Sequence, residues 1–197
     1  YGLIRYIPST GKAQCLLATE AESGDFISSI HCDHLGHIWA GTRQRGLFRL
    51  ALDESGQLLH QQHFLERFFQ SSDQEEVCVY RIFEDASGRL WFGVTGGLFR
   101  LSDLRCPSPP GFLKLPLGEV GESVSHIMQD SRGKIWAAPG FLNSLYSIDT
   151  LTLQIQRFQH DSEDETSLGP NDINFIFEDD KGGLWLGHEK GGVSKAN

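Results

Sequence analysis

Apolar and polar residues follow one another along this chain in short runs that recur. Val79 to Glu84 (VYRIFE) and Leu90 to Gly93 (LWFG) are rich in β-branched, aromatic and leucine residues, and Asp85-Ala86-Ser87-Gly88 separates them. That composition predicts two strands joined by a tight turn. The aspartate can accept hydrogen bonds from turn amides, and the glycine supplies the φ > 0 position that closes the turn without a Cβ clash. Three further copies carry the same device: ISSIHCDHLGHIWAG with Asp33 and Gly36, VSHIMQDSRGKIWAA with Asp130 and Gly133, and INFIFEDDKGGLWLG with Asp179 and Gly182. Recurrence at one turn position gives these aspartates a structural job rather than a catalytic or metal-binding one.

Each copy ends on a tryptophan, and Trp39, Trp91, Trp136 and Trp185 lie 52, 45 and 49 residues apart (91 − 39, 136 − 91, 185 − 136). A period in that range, filled with strand-type residues, predicts one four-stranded blade of a β-propeller per copy. The tryptophans are expected to wedge between blades, with roughly 200 Å² of surface each. In a regular strand Ile27 and Ile30, or Ile173 and Ile176, fall on opposite faces, so both faces of the first strand are expected to be covered.

The chain opens in mid-blade, because Gly2-Leu3-Ile4-Arg5-Tyr6 matches Gly46-Leu47-Phe48-Arg49-Leu50 and Gly97-Leu98-Phe99-Arg100-Leu101. Those segments follow tryptophan strands as third strands. The expected layout is a partial blade over 1–24 and blades near 25–66, 76–116, 122–160 and 171–197, about four blade-equivalents. That is an all-β propeller of four-stranded antiparallel blades, read as part of a larger ring or as one closed through its termini. The segment between Leu50 and Val79, with Phe64, Phe68 and Phe69, is expected to hold a short helix. Cys106-Pro107-Ser108-Pro109-Pro110-Gly111 reads as an irregular connection to an outer strand near Phe112 to Leu115. Ala138-Pro139 and Asn143-Ser144 replace the usual glycine pairs and remodel the edge of the third blade.

Composition and charge narrow the function classes. The chain of 197 residues is 39% hydrophobic with 22 glycines, a globular composition, and has no apolar run long enough to span a membrane. A formal charge of −9 without a Lys/Arg cluster argues against a nucleic-acid partner. The start at Tyr1 reads as a cut from something longer. Cys15, Cys32, Cys78 and Cys106 contain no C-x-x-C pair, and Cys32 and Cys78, at opposite ends of their strands, are expected to stay unbridged. His31, His34 and His37 crowd the first turn, yet Phe83, Ala86 and Arg89 hold the same places in the second copy, so no metal site is expected there. The acidic loop from His160 to Leu168 reads as solvated rather than as a calcium site, since it lacks the EF-type glycine spacing.

The pattern V-x-x-I-x-x-D-x-x-G-x-I/L-W-x-G-T followed by G-G-L-x-R resembles the repeat of the two-component regulator propeller family, with 158–193 as its best match here. The resemblance implies a seven-bladed type of ring outside the cytoplasmic membrane of a bacterium. It also implies a tether to a transmembrane helix and an intracellular histidine kinase or diguanylate cyclase in the full-length protein. By the same resemblance the ligand is a carbohydrate or another small molecule, signalling runs through a dimer, and no cofactor is needed. Two alternatives stand beside a sensor: a propeller lyase resembling streptogramin lyase, and a purely structural protein-interaction propeller. The residues show no Ser-His-Asp order, no H-E-x-x-H and no enforced carboxylate pair, so no catalytic residue is assigned.

A ligand is expected on the face where the inner strands begin. There the loops differ from copy to copy: Arg43, Gln44 and Arg45; Thr95; Pro139, Gly140 and Phe141; His188, Glu189 and Lys190. Tyr80, Arg81, His126 and Asn174 lie along the inner strands and add aromatic surface and hydrogen-bonding groups. The expected ligand residues are Arg43, Tyr80, Arg81, His126, Asn174 and His188. Exposed blade faces are expected to drive self-association through propeller edges.

Overall fold

The computed structural model describes residues 2–19, 24–64, 77–101, 111–118, 123–140, 143–164 and 166–196. These residues form strands and turns, and no helix occurs among them. The seventeen strands are β1 (Gly2–Ile7), β2 (Lys12–Ala18), β3 (Ile27–Cys32), β4 (Ile38–Thr42), β5 (Leu47–Leu52), β6 (Leu58–Phe64), β7 (Val79–Glu84), β8 (Leu90–Val94), β9 (Gly97–Leu101), β10 (Phe112–Leu115), β11 (Val124–Gln129), β12 (Ile135–Pro139), β13 (Ser144–Ile148), β14 (Ile155–Gln159), β15 (Ile173–Glu178), β16 (Leu184–His188) and β17 (Val193–Ala196). The pairings between these strands are antiparallel, as propeller blades require, and an isolated bridge between Arg45 and Val77 is parallel. The segments 65–76 and 102–110, where a short helix and an irregular connection were expected, lie outside the described residues, as do Cys106, Phe141 and Glu165.

The chain divides into two compact units, Tyr1–Ile82 and Phe83–Asn197. The first holds the two-stranded sheet β1-β2, the four-stranded sheet β3-β4-β5-β6 and the start of β7. The second holds the sheet in which β10, β9, β8 and β7 follow in order, the four-stranded β11-β12-β13-β14, and the three-stranded β15-β16-β17. In every sheet the strands succeed one another as neighbours, the order expected when short turns link consecutive strands.

The sheets stack by one rule, seen once in the first unit and twice in the second. Each has a forward face, turned to the sheet that follows in the chain, and a rear face. In the first unit Leu3 and Leu17 of the β1-β2 sheet pack against Ala40, Phe48, Leu50 and Ile27. In the second, Trp91, Leu98 and Leu115 meet Val124, Ile127, Ala137, Tyr146 and Ile148. Trp136, Met128, Leu145 and Phe158 then meet Ile173, Ile176, Leu184 and Leu186. Apolar burial between flat faces is the stabilising term of this architecture.

Two expectations change. The innermost strands are not regular: β3, β11 and β15 each carry a bulge, so that Val124 pairs with Pro139 but His126 with Ala138, and Ile173 with His188 but Phe175 with Gly187. One extra residue reverses the alternation, which puts Val124 with Ile127, and Ile173 with Ile176, on one face instead of opposite faces. The second change concerns the wedges. Trp39 and Trp91 are fully buried and Trp136 half-buried, but Trp185 is 37% exposed, because nothing among the described residues of its unit covers the forward face of β15-β16-β17.

Candidate functional site

The two ends of every blade are built differently. At the hairpin end one carboxylate closes the turn and holds the tryptophan six residues on. Oδ1 of Asp33, Asp85, Asp130 and Asp179 accepts the backbone N–H groups of the residues two and four further along. Oδ2 accepts the indole Nε1–H of Trp39, Trp91, Trp136 and Trp185 at 2.8, 2.9, 2.8 and 2.8 Å. A further nitrogen joins Oδ2 in three copies: His37 Nδ1 at 3.1 Å, Arg89 Nε at 2.8 Å and Lys195 Nζ at 3.0 Å. In the last copy Gly183 stands at the Arg89 position, and its missing side chain leaves room for the Lys195 ammonium. Burial pushes the Asp33 carboxyl up, but the hydrogen bonds from Trp39 and His37 outweigh it and hold the group below its ordinary range. Hydrogen bonds from Trp185, Gly183 and Lys195 hold Asp179 lower as well. His37 lies between Asp33 and Arg49, whose Nη2 is 3.0 Å from His37 Nε2, so both ring nitrogens are engaged. Among the described residues no group of three metal-ligating side chains assembles.

The opposite end carries the residues expected to bind ligand, and each unit holds a separate set. In the first unit the buried Asp25 pins the β4–β5 loop, accepting Gln44 N–H at 3.0 Å and Arg45 Nε–H at 2.6 Å. This leaves Arg43, whose backbone N–H donates to Phe26 O, with its guanidinium 5.6 Å from the centroid of the exposed Phe26 ring. Tyr80 and Ser28 hydrogen-bond the Cys78 thiol, and Arg43 is near enough to act on its charge. Burial nonetheless raises the thiol above its ordinary range. Arg43, Tyr80, Cys78, Ser28 and Phe26 therefore make one neighbourhood, with the exposed Arg81 next along β7. Neither Arg43 nor Arg81 forms a salt bridge among the described residues. Among the described residues Cys15, Cys32 and Cys78 form no disulfide.

In the second unit His126 is buried with its ring 4.7 Å from Phe175, and Asn174, the extra residue of the β15 bulge, is exposed beside it in sequence. His188 ends β16, with Nδ1 3.2 Å from Asn171 O and Nε2 2.7 Å from Ser194 Oγ. A carbonyl can only accept, so Nδ1–H donates to Asn171 O, and Nε2 shares a hydrogen bond with the Ser194 hydroxyl, which can donate or accept. His188 is thereby a doubly bonded side chain that ties the loop before β15 to β17. Asp172 extends the tie, since its Oδ1 accepts Asn143 N–H at 3.3 Å and its backbone O accepts Glu189 N–H.

Sequence reasoning did not find Asp25, Phe26, Ser28, Cys78, Asn171 or Ser194. The acid preceding each of two inner strands, Asp25 and Asp172, was the available signal. The partners of these residues come from other strands, and only the register brings them together.

Residues 74–96 and 167–190 match the family model of the two component regulator propeller. No curated protein matches the chain. Among solved structures it is similar to the extracellular domain of BT4673 from B. thetaiotaomicron, described as a hybrid two component system. That likeness has a TM-score of 0.71 and 25% identity over 99% of this chain and 24% of that one. It is also similar to PorZ of Porphyromonas gingivalis, described as a surface component of the type-IX secretion system, with TM-score 0.66, 17% identity and coverage of 97% and 28%. Virginiamycin B lyase from Staphylococcus aureus gives TM-score 0.63, 16% identity and coverage of 94% and 59%. The chain spans about a quarter of the length of the BT4673 domain.

Proposed function

We propose that this propeller is a ligand-sensing module outside the cytoplasmic membrane, part of a bacterial signalling protein whose output is a two-component kinase or a diguanylate cyclase. The observation that carries the reading is the match of two separate blades to the two component regulator propeller. The likeness to an extracellular domain described as part of a hybrid two component system supports it. The ligand is a carbohydrate or another small molecule, held at the end where the inner strands begin. There Arg43, Phe26 and Tyr80 offer a stacking surface and donors in one unit, and Asn174 and His188 stand at the equivalent end in the other. Arginine over an aromatic ring suits recognition of a polar, planar or anionic group.

The test is thermal-shift screening of the intact chain against neutral and acidic oligosaccharides, followed by calorimetry. A saturable ligand should raise the melting temperature, and Arg43→Ala with Arg81→Ala should weaken it at least about tenfold if each contributes a typical contact. Binding that survives those changes and the loss of His188 overturns the placement of the site.

The lyase likeness favours one second reading, in which the module turns its ligand over. His188 is the base such a reading would use, because its Nε2 already lies within hydrogen-bond reach of a hydroxyl, 2.7 Å from Ser194 Oγ. Mass spectrometry of the ligand after incubation separates the two: an unchanged ligand supports sensing, and a cleaved product whose formation His188→Ala abolishes supports turnover.

A further inference from the structure

The four hairpins share one frame, and two side-chain positions on it differ from copy to copy. The residue four after the turn aspartate is His37, Arg89, Lys134 or Gly183, and the residue paired opposite the tryptophan is Arg49, Arg100, Ser147 or Lys195. Only the first copy places at either position a group that changes charge near neutral pH. His37 also keeps 21% of its side chain open to solvent while the Asp33 side chain is sealed, so a proton can reach the ring.

The two neighbours of His37 leave its ring one arrangement. A guanidinium has donors and no acceptor, so the 3.0 Å contact from Arg49 Nη2 requires a lone pair on Nε2. A carboxylate only accepts, so the 3.1 Å contact to Asp33 Oδ2 requires the proton on Nδ1. Burial pushes Asp33 up, but its hydrogen bonds hold it below the ordinary carboxylate range, and it stays ionised while histidine titrates. His37 is therefore neutral here. Its Nε2 takes the one hydrogen bond that Arg49 makes among the described residues, with the guanidinium 5.7 Å from the Trp39 ring centroid. The elements around the pair bring His31 and Cys32 on β3, opposite Trp39 and Ile38, His34 in the turn, and the uncharged Gln62 of β6 opposite Arg49.

A proton on Nε2 would set two donors, both charged, against each other. The second blade displays the arrangement that follows. There Arg89 is a permanent cation on Asp85 Oδ2, and Arg100 rests 5.8 Å from the Trp91 ring centroid, its buried Nε without a hydrogen-bond partner among the described residues. Burial and then the charge of Arg89 pull Arg100 down from its ordinary range, so cations at the two positions repel. We infer that His37 is an acid-operated latch on Arg49: in neutral solution the ring ties Arg49 to Asp33, and a proton taken from solvent at Nε2 breaks the Arg49 bond while the Asp33 bond holds. The first full blade thereby gains a response to mild acid for which the other three copies have no titrating group.

Heteronuclear NMR of the isotope-labelled intact chain is the test. At about pH 8 His37 should carry a proton on Nδ1 alone, and the two Nη atoms of Arg49 should give separate signals, because a bonded guanidinium is held from rotating. Towards about pH 5 both ring nitrogens should carry protons, and the Arg49 Nη signals should merge with the same midpoint. His37→Gln should abolish the Arg49 transition, whereas His31→Gln and His34→Gln should leave it in place. Should His37→Gln fail to fold, the titration of the unaltered chain decides by itself. A proton on Nε2 at the alkaline end, or Arg49 signals that do not change while His37 titrates, overturns the inference. So does an Arg49 transition that is lost with His31 or His34 and kept without His37.

Discussion

The Asp85 carboxylate accepts four hydrogen bonds, from the backbone N–H groups of Ser87 and Arg89, from Arg89 Nε and from the indole of the fully buried Trp91. Asp85→Ala would leave that indole N–H unpaired where water cannot reach it, and a loss of about 3 kcal/mol is expected in urea denaturation. Asp179→Ala should cost clearly less, because the half-exposed Trp185 can bond water instead. Acid gives a second check. Asp33 and Asp179 titrate below their ordinary value of 3.8 in the folded chain. A carboxyl whose folded pKa is depressed contributes stability that is fully present above the unfolded value and lost as pH falls through the folded one. Stability measured against pH should therefore hold down to the ordinary aspartate range and drop only below it, and Asp33→Asn should flatten that drop. The turn role of these aspartates was legible in the sequence, since Asp and Gly recur three apart in each copy. The second role was not: the constant six-residue step from Asp to Trp carries no contact until hairpin pairing sets Trp39 opposite His31 and so beside Asp33.

At the scale of elements, the distance between blades is set by the glycine two residues after the tryptophan. A Cβ on Gly93 would lie 2.3 Å from Val124 O and 3.1 Å from Val124 Cγ1, and one on Gly41 would lie 2.7 Å from Val79 Cγ1. Backbone cannot step aside as a long side chain can, so Gly93→Ala should cost about 1–3 kcal/mol by forcing the sheets apart. The β11-β14 sheet has Ala138 at this place and accommodates it in a buried cluster, so spacing is tuned joint by joint. Trp91→Ala should cost about 3–5 kcal/mol through the cavity it leaves, and Trp185→Ala much less; equal losses would mean that Trp185 is covered in solution. Strand count, strand order and turn position were readable from the repeats. The bulge was not, because a β-branched residue and an isoleucine three apart look the same in a regular strand buried on both sides and in a bulged strand buried on one.

In the whole molecule, cover is uneven within the second unit: among the described residues β11-β14 is packed on both faces, and β15-β17 on its rear face alone. Local opening follows cover, so amide exchange should reach β16 before β12. Exchange at equal rates in dilute solution would show that cover does not govern opening. The Asp-to-Trp tie also equips the molecule with its own optical reporters. Each hairpin contains a single fluorophore bonded to one carboxylate, in surroundings graded from the sealed Trp39 and Trp91 through Trp136 to the half-open Trp185. Replacing three of the four indoles by phenylalanine would leave a lamp in one chosen blade. Its emission colour and its quenching by acrylamide would then report when that blade opens, is capped by a partner, or has its carboxylate protonated.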